Sequence, residues 1–327
     1  GSRHYTRSLT LTEGLEKLFH LCANAKFSAL LTLRQEKNKW NFIVLNHPHS
    51  GIALKNGTGL PGLSFGTWHL TNPEEANRIL TTAIEAGYRS FDSAQIYNNA
   101  SFLGEAIAHC GIPREAFFLT SKIWVTHHSY EDTIEAVKTL LTEFRTGYLD
   151  ALLIHWPSAH GDALLWQSRN AGTWRAFEDL YEAGVVRAIG VSNFLPHHLV
   201  PLLSRARIAP MINQLEIHAG YPQAHAVNFC RRASIVVQSW GPFGRGQLID
   251  NPVVRQIAER HGATPAQVLI RWCLDQGVPT IPRSHQSQHF KENLKVFHFT
   301  LDEAEIRTLS ELPVTGFSGL HPDTVSF

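Results

Sequence analysis

Apolar residues along this chain fall in short runs, and between the runs they recur every three or four positions. The short runs lie at 63–66, 89–92, 117–122, 151–155, 188–192, 212–216, 235–239 and 278–282. Runs of this length bounded by polar turns predict buried strands. Segments 73–86, 130–144, 172–183, 196–205 and 223–233 keep the spacing of amphipathic helices, and Gly184 marks a stop where a left-handed residue is needed. Eight strands, each followed by a crossover, predict a parallel sheet. At this length the expected closure is a (β/α)8 TIM barrel, with an open doubly wound sheet as the alternative. The open sheet usually brings a Gly-rich first turn, and no G-x-G-x-x-G follows the first run. Ahead of the barrel, Asn56-Gly57 between apolar positions predicts a hairpin.

Residues 1–50 do not share this alternation and are expected to form a non-barrel N-terminal extension to a barrel domain spanning 51–327. Gly1-Ser2 reads as a cloning remnant. The rest reads as an appendage or as a targeting segment, and Glu13 and Glu16 count against the second.

Composition narrows the function class. The formal charge of +1 gives no reason to expect nucleic acid or an anionic membrane as partner. No apolar run is long enough to span a bilayer, and a monomer is expected. Cys22, Cys110, Cys230 and Cys273 lack C-x-x-C pairing and read as reduced, small hydrophobes of a cytoplasmic protein. Nineteen histidines include the neighbours His127-His128 and His197-His198, pairs that lack the i, i+4 spacing of a helical metal site, and no metal is expected.

Polar residues then gather at one end of the strands. Asp92, Lys122, His155, Ser192-Asn193, Gln214 with Glu216, Ser239-Trp240 and Arg283-Ser284 stand at or just past successive C-terminal strand ends. In a (β/α)8 barrel that face carries the chemistry. Tyr97 follows Asp92 in a turn. A free phenol is a poor acid at neutral pH, and a lysine held by an aspartate can stabilise its anion. A histidine can orient the oxygen that takes the proton. Asp92, Tyr97, Lys122 and His155 are thus suited to protonating a carbonyl oxygen. No nucleophile stands beside a base, so a bound hydride donor is the natural partner.

These residues carry a resemblance. Phe91-Asp-Ser-Ala-Gln-Ile-Tyr-Asn-Asn99, Leu152-Leu-Ile-His-Trp-Pro157, Gly190-Val-Ser-Asn-Phe194, Asn213-Gln-Leu-Glu-Ile-His218 and Ile281-Pro-Arg-Ser284 resemble, in order, the motifs of the aldo-keto reductases. The tryptophan of Ser239-Trp-Gly-Pro-Phe-Gly-Arg-Gly246 looks most like the microbial branch that includes the 2,5-diketo-D-gluconate reductases. The resemblance implies NADPH-dependent reduction of aldehydes and small ketones. Tyr97 would be the general acid, Lys122 the group lowering its pKa, Asp92 the partner of Lys122, and His155 the residue orienting the carbonyl. Ser192, Asn193 and Gln214 would hold the nicotinamide carboxamide, with Trp240 stacked on the ring. Gly66, Thr67, Gly241, Pro242, Phe243, Gly246, Arg283, Ser284, His289, Glu292 and Asn293 would complete the cofactor contacts. Arg283 stands where the family has lysine, and His289 where an arginine is usual. Losing that fixed charge weakens the NADPH preference and leaves NADH use open.

Trp68, Trp124 and Trp156 follow strands 1, 3 and 4 and are expected to wall an apolar substrate pocket. Residues 158–173 read as a long polar loop forming one wall or lid. The rival reading is a cofactor-binding barrel that serves as a regulatory or scaffold subunit.

Overall fold

Gly51–Ala53 (β1) and Gly59–Pro61 (β2) pair antiparallel, Ile52 opposite Leu60, as the Asn56-Gly57 turn predicts. Gly57 takes φ 85°, which a residue with a side chain rarely adopts. The eight apolar runs then become eight strands: Phe65–Gly66 (β3), Ser90–Asp92 (β4), Phe118–Ile123 (β5), Ala151–Ile154 (β6), Ile189–Ser192 (β7), Ile212–Glu216 (β8), Val236–Trp240 (β9) and Thr280–Ile281 (β10). Each pairs parallel with the next in sequence. The two edges also meet. Leu63 bridges Thr280, Ser64 N donates to Thr280 O at 3.0 Å, and Gly66 N donates to Pro282 O at 3.1 Å. The sheet is therefore closed, and the open doubly wound alternative falls. This computed structural model describes residues 47, 50–157, 165–284 and 286–325. Nearly all of the expected extension over 1–50 lies outside the described residues.

Helices cover the outside of the barrel: Pro73–Ala86 (α1), Ala100–His109 (α2), Tyr130–Glu143 (α3), Trp166–Glu182 (α4), Pro196–Arg205 (α5), Ala224–Arg232 (α6), Pro252–His261 (α7), Pro265–Asp275 (α8), Ser287–Leu294 (α9) and Glu303–Ser310 (α10). Local chemistry sets their limits. In α1, Asn72 Oδ1 accepts from Glu75 N at 3.0 Å, Pro73 opens the first turn, and Gly87 ends it at φ 113°. One expectation fails here. The loop expected over 158–173 is helical from Trp166 onward, while residues 158–164 lie outside the described residues. Gly172, which suggested a loop, lies inside the helix, where α4 crosses the start of α3 and a Cβ would make ordinary contact with Tyr130 N at 3.4 Å. Buried Asn170 turns inward and donates Nδ2 to Pro157 O at 2.7 Å. Tertiary packing has overridden local polarity.

Alternation along each strand divides the interior in two. Outward residues such as Phe91, Leu119, Leu152, Val191 and Leu215 pack under the helices. At the N-terminal end, inward Phe118, Leu153, Ala188 and Ile212, with Met211 just ahead of β8, meet Leu54 and Leu60 of the hairpin, which plugs that mouth. Leu60 is fully buried, worth roughly 2 kcal/mol of stability. Further up the same inward faces the residues turn polar.

Candidate active site

On β5, Phe118 faces the apolar plug, and two steps at a time the strand delivers Thr120 and then Lys122 to the opposite end. Lys122 is buried, and its Nζ donates to Asp92 Oδ1 at 2.5 Å and to Ser93 O at 2.9 Å. The same ammonium lies 5.1 Å from the centroid of the Tyr97 ring. Burial opposes the Lys122 charge, but Asp92 and Tyr97 together outweigh it, and its pKa lies above the ordinary lysine value.

Tyr97 sits at the end of a single 3-10 turn, Gln95–Tyr97, closed by Asn98 at φ 52°. Buried Asn99 fixes this turn to the barrel. Its Nδ2 donates to Thr67 O at 2.7 Å, and its Oδ1 accepts from Ser93 Oγ at 2.8 Å. Asn99 and Ser93 were not singled out by sequence reasoning. The only signal was their place in the motif around Tyr97. The net pKa of the phenol runs opposite to the simple expectation. Burial pushes it up, Lys122 pulls it down without cancelling that rise, and Asp92 adds to the upward push. The phenol is therefore protonated at neutral pH.

His155 follows β6 and packs edge-on to Tyr97 and Trp124, with ring centroids 5.7 Å and 5.1 Å away. Burial, then the Lys122 charge, then His128 hold its pKa well below 6.5, so the imidazole is neutral. Trp124 N donates to Gln95 Oε1 at 3.1 Å, linking the β5 loop to the Tyr97 turn. The three expected pocket tryptophans differ in exposure. Trp68 is 47% exposed, Trp124 is half-buried, and Trp156 is buried at 4% and offers little open surface.

The residues expected to hold the nicotinamide end are already bonded to one another. Ser192 Oγ donates to Gln214 O at 2.9 Å. Asn193, at φ 62°, donates Nδ2 to His155 O at 3.0 Å and to Ser192 Oγ at 3.1 Å. Its Oδ1 accepts from Trp240 Nε1 at 2.9 Å, which pins the half-buried indole. Gln214 Nε2 reaches across the barrel to Asp92 Oδ2 at 2.8 Å and also donates to Gln238 Oε1 at 3.0 Å. Gln238 was not anticipated from sequence.

After β9 the chain runs through Gly241, buried Pro242, half-buried Phe243 and Gly246. Gly241 and Gly246 take φ 69° and 87°, with open space where a Cβ would stand. Gly66 differs, since a Cβ there would meet Ile281 Cγ2 at 3.1 Å, so it serves barrel closure. Thr67 Oγ1 is spent on Asp92 O at 2.9 Å. Half-buried Arg283 stands over Trp68, its Cζ 5.8 Å from the ring. Ser284 Oγ and His289 Nδ1 hydrogen-bond at 3.0 Å. Glu292 accepts from Gln288 Nε2 at 2.7 Å, and Asn293 is buried one residue on, all at or beside α9.

One histidine pair gathers an acid from the C-terminal tail. His197 Nε2 and His198 Nε2 lie 2.8 Å and 3.1 Å from Asp323 Oδ1. His198 Nδ1 accepts from Leu195 N at 3.1 Å, so the neutral ring carries its proton on Nε2 and donates to the acid. That tautomer closes Nε2 to a metal.

Comparison with known proteins identifies the family. Residues 62–313 match the model of the aldo/keto reductase family. The chain is 40% identical over 276 residues to the glyoxal reductase of Bacillus subtilis (strain 168), covering 84% of this chain and 97% of that protein. It is 34% identical over 276 residues to the methylglyoxal reductase DkgA of Escherichia coli (strain K12), covering 83% and 96%. The solved structure of a Gox0644 variant in complex with NADPH superposes with a TM-score of 0.79 at 32% identity, covering 85% of this chain and 99% of that one. With a closed barrel, a buried Asp92–Lys122 pair beside Tyr97 and a family match across nearly the whole barrel, the chain belongs to the aldo/keto reductase family of enzymes.

Proposed function

We propose that this protein reduces small aldehydes and ketones with NADPH, and that Tyr97 donates the proton to the carbonyl oxygen. The observation that carries the reading is the buried Lys122 ammonium, 2.5 Å from Asp92 Oδ1 and 5.1 Å from the Tyr97 ring centroid. A phenol raised by burial keeps its proton until a substrate oxygen develops charge. Lys122 then stabilises the phenolate left behind. Neutral His155 offers a ring N–H to the same oxygen and sets its angle to Tyr97.

The residues also fit the cofactor. Gly241 and Gly246 leave open space along the backbone after β9, suited to a chain of phosphates. Trp240 presents a pinned, half-buried ring for stacking, and Arg283 supplies a fixed cation for a 2′-phosphate. NADPH bound here would supply the hydride for the carbonyl carbon. With His289 in place of a second fixed cation, NADH use is expected alongside NADPH.

The exposed Trp68 and half-buried Trp124 suit a small, weakly polar substrate. The relatives named for glyoxal and methylglyoxal make 2-oxoaldehydes the first class to try. The test follows NADPH absorbance with an aldehyde panel. Tyr97→Phe should lower kcat by roughly 10²–10⁴-fold while NADPH binding persists. A fully active Tyr97→Phe would remove Tyr97 as the acid, and NADPH binding without any turnover in wild type would favour a scaffold role.

A further inference from the structure

We propose that Gln238 is a positioning residue that acts through Gln214 to orient the Asp92 carboxylate. The proposal rests on the reading of Tyr97, Lys122 and Asp92 as the proton-donating group.

The hydrogen-bond polarity runs in one direction. A carboxylate only accepts, so Gln214 must turn its amide nitrogen toward Asp92, and it does so at 2.8 Å. The second hydrogen of that nitrogen goes to Gln238, which must offer oxygen, and Oε1 lies at 3.0 Å. Asp92 Oδ1 is thereby left to Lys122 at 2.5 Å. All four side chains are buried, with Gln214 and Gln238 at 2% and 1% exposure, so bulk water does not replace a lost partner.

The terminal torsion of a glutamine is broad and nearly two-fold, so only the groups its amide meets, Asp92 and Gln238, distinguish Gln214 from its flipped form. Flipped, it would aim an oxygen at Asp92 and repel it. Gln238 deepens that preference by accepting the second hydrogen of the same nitrogen. On β9 it stands where the inward face turns from the apolar plug, which Val236 meets two residues earlier, to the polar layer that holds Gln214. An amide in that interior costs desolvation unless its bonds do something. Here they set the carboxylate that holds Lys122.

Gln214 also draws charge from Asp92, the group that pushes the Tyr97 phenol upward. Gln238→Met keeps the length of the side chain and removes the acceptor. It should lower kcat about tenfold with KM for the carbonyl nearly unchanged. The upper limb of the pH profile should move to higher pH by roughly half a unit, because the released carboxylate opposes phenolate formation more strongly. Gln214→Met should do at least as much. Adding Gln238→Met to it should change nothing further, since the path through Gln214 is already cut.

A second readout needs neither turnover nor a variant. In the free wild-type protein both side-chain amide protons of Gln214 should exchange slowly with solvent in 15N-resolved NMR, since each is held by an acceptor. Additive losses in the double variant, an unmoved pH profile, or fast-exchanging Gln214 amide protons would each overturn the relay. Activity in Tyr97→Phe would instead overturn the parent reading, and the amide signals would still report on the relay itself.

Discussion

Asp92 and Asp150 are both buried aspartates bound to basic side chains, and they lie at opposite ends of the barrel. Asp150, just before β6, accepts from Arg114 Nη2 at 2.8 Å, Arg187 Nη1 at 3.4 Å and Leu119 N at 2.9 Å. Every partner there is a fixed donor, and an arginine does not give up its proton in this pH range. Asp92 is held instead by a lysine and a glutamine, with a phenol beside the lysine. The first arrangement can only tie strands together. The second contains a phenol whose proton affinity its neighbours set. A buried ion pair is thus no mark of chemistry by itself, and the group standing next to the pair decides.

The strongest way to break the comparison is to neutralise each acid. Under the proposed mechanism, Asp92→Asn should lower kcat by roughly a hundredfold to a thousandfold. Asp150→Asn should leave kcat alone and cost about 2 kcal/mol in urea unfolding, reduced from a fully buried pair because Arg187 is 46% exposed. Equal activity losses would erase the distinction between the two ends.

Acid should act chiefly through the reactive end. His128 and His198 are buried there with pKa values pushed down to about 4, first by desolvation. The charged groups facing His128 are Arg169 and His127, and those facing His198 are His197, Asp323 and His321. The unfolded chain takes up these protons near pH 6.5 and the folded chain only near 4, so stability is full above 6.5 and declines as pH falls between them. By pH 5 each histidine should cost about 2 kcal/mol. Denaturant unfolding at pH 7 and 5 measures this, and equal stabilities would mean that both rings are solvated.

The smallest effect concerns the cofactor. His289→Arg, freed from the Ser284 bond and permanently charged, should favour NADPH over NADH by about 1 kcal/mol, or roughly fivefold. Fluorescence titration with both cofactors reads it directly. An unchanged ratio would mean that position 289 does not face the 2′-phosphate.

Much of the fold was legible because its signals are local. All eight apolar runs became strands, six within a residue of the expected limits and the first and last shorter by two residues at the start, and the Asn56-Gly57 hairpin formed. Helix α4 was expected over 172–183, and only its first turns, from Trp166 through Asn170, escaped, because they are justified only by what they touch, Pro157 above all. The site divides the same way. That Asp92, Tyr97, Lys122 and His155 gather at one end of the barrel was legible from strand ends and motif spacing. Asn99, Ser93 and Gln238 were not, because an amide inside a strand or turn looks like any other until its partners arrive from distant segments.

The sequence by itself determined a parallel eight-stranded alternation, its polar end and the family, since period, turn chemistry and motif order are written along the chain. Only the tertiary structure decided that the barrel closes from Leu63 to Thr280, that burial outweighs Lys122 on the Tyr97 phenol, and that Gln214 spans the interior to Asp92. These depend on desolvation and on contacts between residues up to 217 positions apart, from 63 to 280, which no local pattern encodes.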